Sequence, residues 1–295
     1  MTMVPAEGGP ATGPTVLRIL LGSQLRRLRE GAGVTRETAG WEIRSSESKI
    51  SRMELGRVGF KERDVADLLT LYGVKDVEER DALLKLAREA NSPGWWHRYG
   101  DVLPGWFQSY LGLEAAAALI RTYEVQFVPG LLQTPDYARA VILLGHRGAP
   151  AAEIDRRVSL RMARQDVLRR SRPPQLWAVL DEAALRRPIG GPDVMRGQLD
   201  ALIEATAAPH VRLQVVQFEA GGHAAASGAF SILRFGDEEL PDIVYIEQLT
   251  SAIYLDKRDD LDYYALAMER LCVEAAPPER TPELLTRIRD ELYPA

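Results

Sequence analysis

A cluster of helix-breaking residues, Asn91-Ser92-Pro93-Gly94, divides the chain of 295 residues into two parts with different hydrophobic patterns. In the first part, apolar residues recur at helical spacing in five short segments, at residues 16–30, 35–43, 47–54, 61–72 and 76–89. The pattern therefore predicts two domains: an N-terminal all-α domain of five helices at residues 16–91, and a C-terminal mixed α/β or α+β domain at residues 92–295. Residues 1–15, largely Gly, Pro, Ala and Thr, are predicted to form a disordered arm.

The C-terminal domain is predicted to contain a small sheet with flanking helices. Helical patterns cover residues 106–122, 135–145, 152–170, 181–187, 193–207, 259–275 and 282–292. Strand-like runs cover residues 176–180, 211–218, 229–235, 243–247 and 251–255. Asp181 follows a predicted strand, so we interpret it as the N-cap of the next helix, with Glu182 and Arg187 forming a structural ion pair.

Charge is unevenly distributed along the chain. Residues 16–63 contain eleven Lys/Arg and six Asp/Glu, whereas the whole chain has a net charge of −5. A basic segment attracts phosphate if its side chains share one surface. No apolar run reaches the roughly 20 residues that a membrane span needs, the first fifteen residues lack the features of a secretory signal, and Cys272 alone cannot form an intrachain disulfide. We expect a cytoplasmic protein that does not bind membranes.

The segment 21–57 carries a dense motif. Its residues are Leu25-Arg26-x-Leu28-Arg29, Gly33-Val34-Thr35 and Ser46-Glu47-Ser48-Lys49-Ile50-Ser51-Arg52-Met53-Glu54-Leu55-Gly56-Arg57. This segment resembles the XRE/Cro/C1-type helix-turn-helix family. The resemblance implies that the third helix enters the major groove of double-stranded DNA. Three residues depart from the family pattern: Gly40 replaces the usual Ala, Arg44 the usual Gly, and Ser45 an apolar residue.

The resemblance also implies a role for each polar residue of the motif. Glu47, Ser48 and Arg52 would face base edges, and Arg52 suits guanine because its guanidinium can bond O6 and N7 together. The remaining DNA contacts, mostly to phosphate, are assigned to Arg36, Ser46, Lys49, Ser51 and Arg57. Arg29 and Glu54 occupy positions where related domains bury an ion pair.

A second resemblance covers most of the C-terminal domain. It is carried by Trp95-Trp96, Leu113-Glu114-Ala115, Pro129-Gly130-Leu131-Leu132-Gln133-Thr134, Tyr137-Ala138-Arg139, Ala163-Arg164-Gln165, residues 181–187, Gly221-Gly222-His223 and Gly228-Ala229-Phe230. These stretches are similar to the domain of unknown function, DUF5753-like, that follows this helix-turn-helix in actinobacterial regulators. The resemblance implies dimerisation, sensing of a small-molecule effector, or contact with a small partner protein.

A non-catalytic ligand pocket is one hypothesis for this domain. Trp95, Trp96, Trp106 and Trp177 would supply aromatic walls, and Arg187, His223 and Glu247 would supply orienting polar groups. The alternative is that the tryptophans belong to the hydrophobic core.

Catalysis is disfavoured by the sequence. The four histidines lack the spacing of a metal site, and Gly-x-Ser-x-Gly is absent, so we expect no cofactor, no metal and no enzyme activity. Asp181, Glu182 and His223 are nevertheless expected at one sheet edge, because they lie next to predicted strands.

Three functional hypotheses follow from these observations. The first is a sequence-specific homodimeric transcription regulator whose C-terminal domain mediates dimerisation and senses an effector or a small partner protein. The second is an antitoxin-like interaction protein that holds a small partner and binds DNA only to regulate its own expression. The third, an enzyme tethered to DNA, lacks a complete site in the sequence.

Overall fold

The computed structural model describes residues 13–225, 227–236 and 240–294, which divide into two compact units. The first unit contains the described residues up to Arg98, together with Gln108–Ala116 and Leu240. The second contains Tyr99–Phe107, Ala117–Gly236 and the residues from Pro241 onward, within the described ranges. The predicted arm falls largely outside the described residues, although its last two positions already belong to the first helix.

The first unit is helical, as predicted. Its helices are α1 (Pro14–Gly31), α2 (Arg36–Glu42), α3 (Glu47–Glu54), α4 (Glu62–Leu71) and α5 (Val77–Ala90). Helices α2, α3 and α5 begin where the sequence provides an N-cap, because Thr35, Ser46 and Asp76 each accept a hydrogen bond from a backbone N–H three residues later. A continuous apolar core, which includes Leu25 and Ile50, joins the five helices.

Two glycines of the first unit allow backbones to approach closely. A Cβ atom on Gly22 of α1 would lie only 2.7 Å from the carbonyl oxygen of Glu54, at the end of α3. A Cβ atom on Gly40 of α2 would lie 2.9 Å from the carbonyl oxygen of Ser45, in the turn before α3. Any side chain at either position would push α3 away from its neighbours, so these glycines fix where that helix sits.

The second unit is built on a six-stranded sheet. Its strands are β1 (Leu119–Glu124), β2 (Gln175–Asp181), β3 (Val211–Val216), β4 (Phe230–Arg234), β5 (Ile243–Glu247) and β6 (Ala252–Leu255). The spatial order is β3-β2-β1-β4-β5-β6. Strands β1, β2 and β3 are parallel, and β4, β5 and β6 continue the sheet in antiparallel pairs. The predicted fold class of two domains, one helical and one mixed, is confirmed.

Seven further helices follow α5 along the chain; six accompany the strands, and the seventh, α6, lies mostly in the first unit. They are α6 (Gly105–Ala116), α7 (Pro135–Gly145), α8 (Ala151–Arg164), α9 (Glu182–Arg186), α10 (Pro192–Ala205), α11 (Arg258–Glu274) and α12 (Thr281–Leu292). The prediction of one helix over residues 106–122 is wrong, because α6 ends at Ala116 and β1 begins at Leu119. Strand β1 hydrogen-bonds to β2 on one side and β4 on the other, and these ladders outweigh the helical propensity of the preceding alanines.

The register of the strands assigns side chains to two faces of the sheet. On the face that we call the α11 face, Tyr123, Val179, Phe230 and Val244 pack with Met268 and Leu271 of helix α11. On the other face, which we call the opposite face, Thr122, Ser231, Tyr245 and Tyr254 are aligned in register across β1, β4, β5 and β6. Glu124 and Glu247 are each two residues further along parallel-running strands, so they share the opposite face and the same end of the sheet.

Candidate nucleic-acid interface

Helix α3 packs through one side and exposes the other. Ile50 and Met53 are each 1% exposed and lie in the core of the first unit. Glu47, Ser48 and Arg52, the residues predicted to face base edges, are all exposed. Ser48 and Arg52 lie on the side of the helix away from Ile50, and Glu47 is exposed at its first position, so α3 can present polar residues to a groove while its apolar side stays in place.

The ends of α3 also carry polar residues from the prediction. Ser46 is exposed, and its Oγ accepts a hydrogen bond of 3.3 Å from the backbone N–H of Lys49, so its observed role is to cap the helix. Arg57, beyond the C-terminus, is exposed, whereas Ser51 is half-buried. Their contacts to phosphate stay predictions.

Two residues that were predicted to contact DNA phosphates form ion pairs within the first unit. Arg36 Nε lies 2.9 Å from Glu54 Oε2, and Lys49 Nζ lies 2.8 Å from Asp64 Oδ2. Each cation is therefore partly neutralised by a carboxylate of a neighbouring helix. Arg36 therefore links α2 to α3, and Lys49 links α3 to α4, which the motif did not predict.

Arg29 and Glu54 form a buried ion pair between α1 and α3. Their atoms Nε and Oε1 are 2.5 Å apart, and both residues are less than a tenth exposed. Arg29 also donates a hydrogen bond of 2.8 Å to the carbonyl oxygen of Val34. Hydrogen bonding to Glu54 raises the pKa of Arg29 above its ordinary value. With Arg36 on the same carboxylate, Glu54 joins helices α1, α2 and α3.

Two exposed residues beside α3 were missed by sequence reasoning. Trp41 on α2 is 80% exposed, which is unusual for a large aromatic side chain. Arg44, in the turn between α2 and α3, has a φ of 52° and is the only residue other than glycine with a positive φ in the described ranges. The left-handed conformation explains why glycine is usual at this position in the family that the motif resembles.

The seven residues predicted to line a ligand pocket are not brought together by the structure. Trp95 and Trp96 belong to the first unit, where their rings form an edge-to-face pair with centroids 5.9 Å apart and Trp96 is buried in the core. Trp177 projects from the α11 face, whereas Glu247 lies on the opposite face. Since neighbouring positions along a strand alternate between faces, residues on different faces cannot line one pocket.

The individual environments of these residues differ as well. The Trp177 ring lies between the guanidinium groups of Arg121 and Arg212, whose Cζ atoms are 5.0 and 4.6 Å from its centroid. Its Nε1 donates to Gln214, and the residue lines a surface cavity of about 480 Å³ together with Arg212 and Pro278. Trp106 accepts a hydrogen bond from Tyr254 through its carbonyl oxygen. No groups that could hold a metal ion occur in the described part of the chain.

Asp181 and His223 meet at one sheet edge, as the sequence analysis expected. His223 Nε2 lies 3.6 Å from Asp181 Oδ2 and 2.9 Å from the hydroxyl of Tyr123. The backbone N–H of Ala225 donates to His223 Nδ1, so Nε2 carries the ring proton and donates to Tyr123. Burial, together with the charge of Asp181, raises the pKa of Tyr123. Each polar group has a partner, so this cluster is a satisfied structural network.

The helix that follows this edge corrects one prediction. Asp181 caps α9 by accepting a hydrogen bond of 2.8 Å from the backbone N–H of Ala183, which agrees with the expected N-cap. Glu182, however, pairs with Arg186 at 2.6 Å, and the expected pair with Arg187 is not formed. Residues four apart lie on the same side of a helix, whereas residues five apart do not. Among the described residues, no hydrogen bond or ion pair joins Arg187 to the other residues that were predicted to bind a ligand.

The unit with the exposed α3 face is a helix-turn-helix domain, the class of domain that places a helix in the major groove. Two comparisons agree with this geometry: residues 20–83 match a family model described as a helix-turn-helix domain, and residues 107–287 match the domain of unknown function DUF5753. The second match covers more than half of the chain, so the chain belongs to the DUF5753 family. No curated protein and no solved structure matches the chain. Within the described residues, no helix has both the length and the apolar character that crossing a membrane requires.

Proposed function

We propose that this protein is a sequence-specific transcription regulator that binds DNA as a homodimer and whose C-terminal domain senses an effector or a small partner protein. The observation that carries the DNA-reading part is the exposed side of α3, with Glu47, Ser48 and Arg52 facing solvent above a packed apolar side. A guanidinium at this position supplies roughly 1–3 kcal/mol of discrimination between bases. The net positive charge of the surrounding segment supports attraction to the DNA backbone.

The homodimer is supported by three exposed apolar residues of the second unit, on a side of α11 that also carries Arg270. Tyr263, Leu266 and Val273 of α11 are 72%, 47% and 86% exposed, and their spacing places them along one side of the helix. One recognition helix reads only a few base pairs, so a second copy of the chain is the occupant that DNA reading requires. The antitoxin-like alternative places a small partner protein on the same side of α11.

DNA reading is tested by binding. The full-length protein is used to select duplexes from a random-sequence library, and the selected site is then located in the region upstream of its own gene by DNase footprinting. We expect a selected sequence with two half-sites about one helical turn, roughly 34 Å, apart. Arg52→Ala should lower the preference for the selected duplex over random duplex about tenfold or more, whereas Arg63→Ala, an exposed arginine on α4, should leave the preference unchanged. Equal affinity for every duplex would contradict the proposal.

The identity of the dimer surface is tested by sedimentation. We expect the wild-type protein to sediment as a dimer and Val273→Glu to sediment as a monomer, because a charge in an apolar contact cannot be solvated. Val77→Glu, which alters a valine of the first unit that is 70% exposed, is the control. A wild-type monomer that co-purifies with one small protein, and loses it in Val273→Glu, would favour the antitoxin-like alternative.

A further inference from the structure

Three side chains of the α11 face form a row across the three parallel strands. Arg121 of β1 is in register with Trp177 of β2, and Trp177 is in register with Arg212 of β3. The register places one guanidinium on each side of the indole, and the two Cζ atoms lie 5.0 and 4.6 Å from the ring centroid. We call these three residues the cationic row.

Neither arginine of the cationic row has a carboxylate partner among the described residues. Nη2 of Arg121 lies 3.7 Å from the sulfur of Cys272, and sulfur is a weak hydrogen-bond acceptor. Nε of Arg121 is the only fully buried side-chain nitrogen or oxygen atom in the described ranges without a hydrogen-bond partner. An indole face attracts a cation but does not remove its charge. The row therefore carries two positive charges that no described carboxylate pairs with.

A cavity of about 480 Å³ opens beside Arg212, where β1, β2 and β3 begin. Volumes of roughly 300–1,000 Å³ are typical of sites for small molecules. Among the described residues that line the cavity, Arg212 is the only one with a charge. Much of the remaining lining is apolar and includes Leu119, Leu176, Trp177, Leu213 and Pro278. A cavity with this lining suits a molecule that carries one negative charge on an apolar body.

Trp177 is held in a fixed orientation beside the cavity. Its Nε1 donates a hydrogen bond of 2.8 Å to Oε1 of Gln214. Nε2 of Gln214 in turn donates bonds of 3.0 and 3.1 Å to the carbonyl oxygens of Cys272 and Ala276. Both ends of the amide are used, so the amide cannot rotate without losing bonds. The indole wall is therefore set before any ligand arrives, which lowers the entropic cost of binding.

Arg212 is available to an anion. It is exposed, and it makes no hydrogen bond to any residue that the structure describes. A guanidinium that contacts an aromatic ring through its face still presents its N–H groups in its own plane, where a planar carboxylate can accept two of them. The contact with Trp177 thus orients the guanidinium without using its donors.

From this geometry we infer that the second unit binds a small organic acid, with its carboxylate on Arg212 and its apolar body in the cavity beside Trp177. Arg121, on the other side of the indole, adds positive charge that favours the same anion. The inference names the effector class for the sensing role proposed above and rests on that role for its meaning. It is tested without DNA, so failure of ligand binding leaves the DNA-reading proposal intact, and failure of DNA reading leaves this one intact.

The first experiment measures binding to the full-length protein by calorimetry. The probes are benzoate, indole-3-acetate and hexanoate, the uncharged amide of each acid, and two anions without an apolar body, acetate and inorganic phosphate. We expect at least one of the three acids to bind, and its amide and both small anions to bind at least tenfold more weakly. The inference is wrong if none of the three acids binds, or if acetate or phosphate binds as tightly as the best of them.

Substitutions assign the charge that is recognised. Arg212→Gln should weaken binding of the best acid at least tenfold, because the guanidinium is lost. Arg212→Lys keeps the charge but not the planar fork, so its affinity should lie between those of the wild type and Arg212→Gln. Arg258→Gln removes the same charge from an arginine of α11 whose side chain is 92% exposed, and it should leave the affinity unchanged. Equal affinities in the wild type and Arg212→Gln would contradict the inference.

The indole N–H signals locate the ligand in the wild-type protein. The chain contains five tryptophans, and a spectrum of Trp177→Phe identifies the ¹⁵N-labelled indole signal that belongs to Trp177. We expect the bound acid to shift this signal in step with the saturation measured by calorimetry, because the indole forms a wall of the cavity. The signal of Trp41, in the first unit, should not move. An acid that binds but leaves the Trp177 signal in place occupies another site, and the inference would be overturned.

Discussion

Two largely covered carboxylates, one in each unit, are compensated in opposite ways. In the helical unit, Glu54 is buried but contacts both Arg29 and Arg36, so its charge is fully compensated. In the sheet unit, Glu124 and Arg161 are largely covered and influence each other, yet they form no ion pair. The first arrangement fixes the relative positions of three helices. The second leaves Glu124 without an ion pair to any described residue, and burial raises its pKa to about 8.

The compensated arrangement around Glu54 suits a helix that must be held in a fixed position. A recognition helix must be held rigidly, because base contacts depend on geometry that shifts of an ångström destroy. The following substitutions test whether buried charge is structural in the first unit.

The largest effect is expected from Glu54→Ala. The substitution leaves Arg29 buried beside α3 without its carboxylate and removes the partner of Arg36. Breaking one member of a buried pair typically costs about 3–5 kcal/mol. We expect the free energy of unfolding of the helical unit, measured by urea denaturation followed by circular dichroism, to fall by this amount. Glu37→Ala, at an exposed position of α2, should change it by less than about 0.5 kcal/mol. A small loss for Glu54→Ala would show that the compensation is not structural.

A second large effect is expected from Gly22→Ala. A Cβ atom at this position would lie 2.7 Å from the carbonyl oxygen of Glu54, and neither backbone can yield without moving a helix. Overpacking of this kind costs roughly 1–3 kcal/mol. Gly31→Ala, at the end of the same helix, meets nothing within 4 Å and should leave the urea midpoint unchanged or higher. Equal midpoints for the two variants would mean that α1 and α3 are less closely packed than the structure shows.

The contrast between local and long-range contacts explains which elements the sequence could predict. Helices α2, α3 and α5 were predicted nearly to the residue, because Thr35, Ser46 and Asp76 mark their starts through local hydrogen bonds. Strand β1 was missed, because nothing local separates its residues from the helix before them. Its conformation is set by β2, more than fifty residues later, and by β4, more than a hundred residues later.

The site predictions also differ in whether they depend on local sequence or on tertiary packing. The exposed residues of α3 were assigned from their positions in the helix-turn-helix motif, as the resemblance implies. The pairing of Lys49 with Asp64, by contrast, depends on how α4 packs against α3, which the motif does not state. Glu247 is a predicted ligand residue, but Trp177, one of its predicted partners, lies on the other face of the sheet.

Substitutions of Lys49 and Arg57 should distinguish an ion pair that stabilises the fold from a contact to DNA phosphate. Lys49→Met removes the ion pair with Asp64, so we expect the free energy of unfolding to fall by about 1 kcal/mol. Its effect on the salt dependence of DNA binding should be small. Arg57→Ala should instead decrease the slope of log affinity against log salt concentration by about 1. Fluorescence anisotropy over a salt series and urea denaturation measure both quantities. The distinction fails if Lys49→Met changes the slope as much as Arg57→Ala does.

The smallest effect is expected at Arg44, whose φ of 52° is unfavourable for a side chain with a Cβ atom. Arg44→Gly and Arg44→Ala remove the same charge, but only glycine relieves the backbone. We expect Arg44→Gly to be more stable than Arg44→Ala by about 0.5–1 kcal/mol in urea denaturation. Both variants should lose the same DNA affinity if the side chain contacts phosphate, because that loss depends on charge and not on the turn. A larger loss in the glycine variant alone would instead show that the strained turn holds α3 in its reading position, so that the residue acts through geometry.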